Sequence, residues 1–243
     1  PLVLRAWPGH DRWVTFVVDH VKEGVPVLAE LTGQPWDAER TLVIEETMTP
    51  FAQGYGGWYD PAEHTIRIGD QLDGHLVLHE LTHVWVNFDV FAERWLVEGF
   101  AEHLAAAALA QMEERPETGE TGVAGDVGAS DHTRPSSADL PVEPPLPLEE
   151  WDTPAIRDEA NQEVEDFGYA ASWHVVGSIA DEIGSERTRS VIGAAVGREV
   201  TYLGSGEPEV MTAPYTWRQA LDLFENLADS ETAAELFATY VVS

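Results

Sequence analysis

The sequence predicts an α+β fold, with a small N-terminal mixed sheet with helices, then a helix pair, then a mostly helical C-terminal lobe. Short runs with strand composition, separated by turn residues, occupy the first third of the chain. From Leu72 onward, apolar residues recur every three to four positions, which indicates helices. A stretch rich in proline and acidic residues, 113–154, precedes a last part that is again helical in pattern.

The first third of the chain predicts one helix and a few short strands. Apolar residues at helical spacing predict a helix over 10–31, which ends before Gly33. The run Thr-Leu-Val-Ile-Glu-Glu at 41–46 predicts a strand. Residues 58–59 and 64–68 flank the turn sequence Asp-Pro-Ala-Glu, so together they predict a β-hairpin.

The remaining elements are helices on either side of a long connection. Two of them, 72–87 and 93–113, follow the sheet directly. Further helices are predicted at about 157–183 with a break near Gly168, 186–197, 215–228 and 230–241. We therefore expect a sheet-plus-helix lobe over 1–112, an irregular loop over 113–154 and a helical lobe over 155–243. That loop is either a linker or a flap over a functional site, because long loops in compact domains are often functional.

The composition restricts the partners and the chemistry. The 44 acidic residues against 13 basic ones give a formal net charge of −31, which disfavours nucleic acid and anionic membranes as partners. The sequence holds no apolar run of the roughly 20 residues that a membrane span needs. Without cysteine there is no disulfide and no thiolate ligand, so a metal must be held by histidines and carboxylates. The acidic, lysine-poor character leaves the compartment undecided, with a lean toward an exported protein whose leader has been removed.

The most informative motif is His79-Glu80-Leu81-Thr82-His83 in the first helix of the pair. Residues four apart lie on the same face of a helix, so both imidazoles can reach one zinc ion. Glu80 does not bind the metal in this arrangement. We expect it to take a proton from a zinc-bound water and to pass it to the leaving amine.

The second helix of the pair supplies candidates for a third ligand. Glu98 and Glu102 are four residues apart, so both can face inward. One carboxylate can complete a three-ligand set, while the other can accept the second ring N–H of a ligating histidine. We assign Glu98 to the metal and Glu102 to His79.

The two motifs together resemble the gluzincins, the metallopeptidase clan that holds zinc with two histidines and one glutamate. The run Trp-Leu-Val-Glu-Gly-Phe-Ala at 95–101 is similar to a segment of the aminopeptidase-like members, whose glutamate is the third ligand. The spacing of Glu98 and Glu102 resembles the Glu-x-x-x-Asp of thermolysin-like enzymes, whose second acid supports a ligating histidine. The resemblance implies a thermolysin-like fold, one catalytic Zn²⁺ and a peptide or protein substrate.

Two departures from these families keep alternatives open. Aminopeptidase-like members usually place eighteen residues between the second histidine and the ligand, and that spacing would select Glu102 instead of Glu98. Asp89 stands where metzincin-like enzymes have their third ligand, but Val86 occupies the position of the glycine that such motifs need. The sequence also lacks the Gly-x-Met-x-Asn segment that holds a free amino end, which favours an endopeptidase over an aminopeptidase.

Peptide hydrolysis also needs a donor to the developing oxyanion. Tyr169 is the candidate, because residues 169–172 resemble a Tyr-Ala-x-Ser segment of related peptidase-like proteins, although a tyrosine in the core is the alternative. His174 and three other tyrosines are weaker candidates, namely Tyr55, Tyr59 and Tyr215. By the same resemblance, residues 54–59 are the strand edge that pairs with substrate.

The sequence therefore predicts a zinc-dependent metallopeptidase with His79, His83 and Glu98 on the metal and with Glu80 and Tyr169 as catalytic groups. A peptidase-like binding module without turnover is one alternative, and a zinc hydrolase of a non-peptide amide is another. The cleavage specificity and the oligomeric state are not predicted.

Overall fold

A computed structural model describes residues 1–48, 56–114, 132–152, 161–199 and 211–242. In these ranges the chain combines helices with one four-stranded mixed sheet, as the sequence predicted. Its contacts divide it into two compact units, Pro1–Val84 with Leu104–Thr133 and Trp85–His103 with Arg134–Ser243.

The sheet belongs to the first unit and has the strand order β1-β2-β4-β3. Its strands are β1 (Leu2–Arg5), β2 (Leu42–Glu46), β3 (Gly57–Asp60) and β4 (Thr65–Ile68). β2 pairs in parallel with both β1 and β4, whereas β3 pairs antiparallel with β4 and forms the predicted hairpin. The sequence reading missed β1, because this four-residue strand has mostly exposed side chains and is defined by its pairing with a segment forty residues away.

Two helices of the first unit accompany the sheet, α1 (Asp11–Thr32) and α2 (Gly74–Thr82). α1 matches the helix predicted over 10–31 and ends at Gly33, whose φ of 68° is left-handed, as is common after a helix. The indole N–H of Trp13 on α1 donates to the Gly69 carbonyl at 2.8 Å. Gly24 on α1 lies against the side chain of Leu78 on α2, so the two helices approach closely. The core of this unit includes Val17, Leu28, Leu42, Ile44, Ile66, Leu78 and Leu81.

The second unit is mostly helical. Helix α3 (Arg94–Glu114) begins in this unit and matches the helix predicted over 93–113. α4 (Gln162–Val196), α5 (Trp217–Asp222) and α6 (Ala233–Leu236) follow, and π-helical turns at Leu223–Leu227 and Phe237–Val241 extend the last two. Aromatic rings form much of the core, in a connected series of Phe91, Phe100, Phe224, Phe237 and Trp95.

Glycines on α3 and α4 lie where other groups pack closely against these helices, and one of them was predicted to break α4. The predicted break near Gly168 is wrong, since α4 continues through that residue and the indole of Trp151 occupies the space that a side chain there would need. The interruption lies at Gly184, where φ is 79° and ψ is 165°, between the two helices predicted over 157–183 and 186–197. Gly99 on α3 faces α4, and a Cβ atom there would lie 2.6 Å from the Ser172 carbonyl oxygen. The contact at Gly99 limits how closely α3 and α4 can pack.

Several expectations fall on residues outside the described ranges. They include residues 54–55 of the proposed substrate strand and two stretches of the long loop, 115–131 and 153–154. The described part of that loop contains a short 3₁₀ turn, Leu148–Glu150. Among the described residues, no helix combines the length and apolar character needed to cross a membrane.

Candidate metal centre

Helix α2 and the residue that follows its end, His83, bring two histidines together. The Asp73 side chain caps the helix by accepting the Leu76 backbone N–H at 3.1 Å, and Asp73 also pairs with the His132 ring at 3.2 Å. His79 and His83 are both buried, with ring centroids 4.9 Å apart and their Nε2 atoms 3.2 Å apart. One helical turn therefore presents both Nε2 atoms to the same point, as the His-x-x-x-His spacing predicted.

The distance between these nitrogens fits zinc coordination. Ligands at 2.0–2.1 Å in tetrahedral geometry lie about 3.3 Å from each other. The observed 3.2 Å between the Nε2 atoms of His79 and His83 matches that separation. A neutral imidazole binds a metal through a ring nitrogen lone pair, so both rings can serve as ligands in this orientation.

Glu98 completes the set. His79, His83 and Glu98 each offer one ligand atom, and these atoms all lie within 4.8 Å of one another. The group can therefore hold a metal ion with two neutral nitrogens and one anionic oxygen, a donor set suited to a catalytic zinc site.

The sequence left three carboxylates as candidates for the third metal ligand. Within the described ranges the group contains Glu98, and neither Glu102 nor Asp89 belongs to it. Asp89 is exposed, its backbone N–H bonds to the Asn87 side chain, and its carbonyl accepts from Arg198. Glu102 lies one turn after Glu98 on α3 and is half-buried. Its assignment to His79 stays a prediction.

Glu80 lies between the two histidines in sequence and is buried at 3% exposure. Its carboxylate is close to the start of the edge strand β3, since a Cβ atom on Gly57 would lie 3.0 Å from Glu80 Oε1 and 2.9 Å from the Arg67 carbonyl oxygen. The absence of a side chain at residue 57 therefore allows the backbone of β3 to approach this carboxylate. A buried carboxylate of this kind can exchange protons with a group next to it.

Arg94, at the start of α3, organises a network that the sequence reading missed. Its guanidinium donates to both oxygens of Glu165, at 3.0 and 2.8 Å, and to the Asp152 carbonyl at 3.2 Å. It also lies 3.9 Å from the centroid of the Trp151 ring. The i,i+4 spacing to Glu98 could have indicated a pair with Arg94, whereas no local pattern indicates Glu165, 71 residues away.

The network includes Tyr169. Arg94 Nη2 donates to the Tyr169 hydroxyl oxygen at 3.2 Å, and Arg94 Nε lies 3.9 Å from Glu98 Oε1. One side chain thus contacts both the candidate metal ligand and the candidate oxyanion donor. That the hydroxyl serves as oxyanion donor stays a prediction.

The weaker candidates for the oxyanion donor have other partners. His174 Nδ1 pairs with the Pro135 carbonyl at 3.0 Å, and Tyr59 pairs with His64 at 2.7 Å. Tyr215 is buried and donates to the Ala194 and Glu199 carbonyls. Tyr55 lies outside the described residues. These contacts attach the weaker candidates within the described ranges to other parts of the chain.

Two other histidines of the first unit have environments that the sequence did not reveal. His75, one turn before His79, is buried at 4% exposure. Its ring stacks on His132 with centroids 4.1 Å apart and an interplanar angle of 12°. Since His132 also pairs with the capping residue Asp73, the chain at 132 is attached to the start of α2.

Comparisons with known proteins do not extend these observations. No protein-family model matches the chain, and a search of curated proteins also finds no match.

Proposed function

We propose that this protein is a zinc-dependent metallopeptidase of gluzincin type with a thermolysin-like arrangement. The observation that carries the proposal is the group of His79, His83 and Glu98, with the buried Glu80 between the two histidines in sequence. Two imidazoles and one carboxylate are the ligand set of several zinc peptidases. The chain has no cysteine, so these donors also suit the composition.

Each residue has a distinct task in this proposal. His79, His83 and Glu98 would hold one Zn²⁺, which when bound supplies Lewis acidity toward a carbonyl and lowers the pKa of water to about 7. Glu80 accepts a proton from the attacking water and delivers it to the leaving nitrogen. Tyr169 donates a hydrogen bond to the developing oxyanion.

The edge strand β3 supports an extended peptide as substrate. Among the described strands, β3 is at the edge of the sheet and pairs only with β4. An extended peptide can add to such an edge through backbone hydrogen bonds. Because Gly57 places the start of β3 against Glu80, a peptide bound along this edge would pass close to the general base.

Metal analysis and one substitution test the proposal. We expect about one zinc ion per chain, and we expect Glu80→Gln to keep the zinc but to lose at least about 100-fold in kcat, because the amide cannot accept a proton. Glu46→Gln is the matched control, since Glu46 is also buried but is held by the Trp7 backbone and by His10. A protein without bound zinc, or unchanged peptide cleavage by Glu80→Gln, would refute the mechanism.

Two alternatives remain distinct outcomes of the same experiment. A zinc-loaded protein that cleaves no member of a broad peptide library would be a peptidase-like binding module or a hydrolase of another amide. Cleavage of non-peptide amides that depends on Glu80 would select the second of these. Cleavage within long peptides, and not only at their amino ends, would establish endopeptidase activity.

A further inference from the structure

We propose that Arg94 is a positioning residue that orients Glu98 for the metal and Tyr169 for the oxyanion through one guanidinium group. This inference rests on the proposed function and extends it to a residue that contacts neither the substrate nor the metal in our assignment. It follows from the contacts that Arg94, Glu98, Glu165 and Tyr169 make within the second unit.

The guanidinium itself is held firmly. Glu165 binds it through two parallel hydrogen bonds, a geometry in which Arg is more specific than Lys. The Trp151 ring covers its face at 3.9 Å and also donates its indole N–H to Glu165 at 3.1 Å. The Arg94 side chain is only 4% exposed, so its orientation is set by these partners and not by solvent.

The guanidinium also restrains the Glu98 carboxylate. Glu165 neutralises Arg94 through the bidentate pair, whereas Glu98 Oε1 lies 3.9 Å from Arg94 Nε, beyond hydrogen-bond length. Arg94 therefore attracts the Glu98 carboxylate and restricts its rotation. A metal ligand requires such a restricted orientation.

The contact with Tyr169 acts on the hydroxyl. Because the oxygen accepts an N–H from a cation, its own hydrogen points away from Arg94, and the O–H becomes a stronger donor. The cation also lies 5.3 Å from the centroid of the Tyr169 ring, and Trp151 packs on that ring edge-to-face. Tyr169 is thereby oriented by the same group that orients Glu98.

Arg94→Lys, Tyr169→Phe and the double variant test the inference. Zinc affinity is measured by competition with a chromophoric chelator, and kcat and KM are measured on a cleaved peptide. We expect Arg94→Lys to lower both the zinc affinity and kcat by about 10- to 100-fold, with little change in KM. Substitutions of residues that orient metal ligands have effects of this size. Tyr169→Phe should lower kcat alone, and in the double variant the losses in kcat should be less than additive.

Arg134→Lys is the matched control, because Arg134 also pairs with an acid, Asp181, within the second unit. Thermal melting of each variant separates a positioning effect from unfolding, and Tyr169→Phe keeps the test valid if Arg94→Lys does not fold. If Arg94→Lys folds, binds zinc and turns over like the parent protein, the inference is refuted while the proposed function stands. Additive losses in kcat would refute the link to Tyr169, and a parent protein without zinc would refute both proposals.

Discussion

Gly99, in the Glu-Gly-Phe-Ala run of α3, is the position where the structure most sharply opposes a prediction from local propensity. Within a helix, Gly→Ala stabilises by about 1 kcal/mol through propensity alone. A Cβ atom at residue 99, however, would lie 2.6 Å from the carbonyl oxygen of Ser172 and 2.7 Å from Cγ2 of Val176 on α4. Since Cβ atoms essentially never approach other atoms within 3.0 Å, α3 and α4 would have to separate.

The magnitude follows from these two opposing effects. Overpacking costs about 1–3 kcal/mol, and the upper part of that range, about 2–3 kcal/mol, applies here because the closest atom belongs to helix backbone that cannot rotate away. After the gain in propensity, we expect Gly99→Ala to lower the free energy of unfolding by about 1–2 kcal/mol. For a chain of this size that corresponds to a fall in Tm of roughly 2–8 °C. Because Glu98 is the adjacent residue, zinc affinity should fall as well.

Denaturant unfolding of Gly99→Ala, with Ala110→Gly as control, measures this effect. Ala110 is exposed on the same helix, so Ala110→Gly reports propensity alone and should lower the free energy of unfolding by about 1 kcal/mol. Val176→Ala should lessen the penalty of Gly99→Ala in a double variant, because it removes one of the two close contacts. If Gly99→Ala instead raises stability by as much as Ala110→Gly lowers it, the close packing of α3 on α4 is refuted.

Three further predictions concern the surroundings of the centre. Burial lowers the pKa of His103 from 6.5 to about 4, so the unfolded chain binds the extra proton first, and stability is lost as pH falls from about 6.5 to 4. Denaturant unfolding of the metal-free protein at several pH values measures this fall in the free energy of unfolding. His103→Gln should remove up to about 3 kcal/mol of it. An unchanged pH dependence would show that His103 is not its source. In Gly57→Ala the added methyl group would displace the Glu80 carboxylate, so kcat should fall by about 10- to 100-fold while zinc binding is unchanged. Steady-state kinetics and chelator competition measure the two quantities. Asp73→Ala should destabilise the protein by about 1 kcal/mol in thermal melts, and Asp73→Asn should cost less because asparagine still caps the helix.

The sequence predicted the order of the described helices and the mixed sheet because both follow from local periodicity. The strand over 41–46, the hairpin and the helix over 93–113 agree with β2, β3–β4 and α3. Helix α2 is shorter than predicted, since it ends at Thr82 instead of residue 87. The sequence also predicted correctly that the rings of His79 and His83 lie together, since residues four apart meet on any helix. It misread Gly168 as a break, because a helical glycine that admits a tryptophan has the same local signature as one that interrupts a helix.

Composition and spacing by themselves determined the acidic surface, the absence of thiol chemistry and the placement of His79, Glu80 and His83 on one helical turn. Only the tertiary structure decided that Glu98 joins the histidines in preference to Asp89 or Glu102. It alone revealed that Arg94 connects Glu98 to Glu165 and Tyr169. The physical reason is that helical periodicity operates over a few residues, whereas contacts between segments tens of residues apart depend on how whole elements pack.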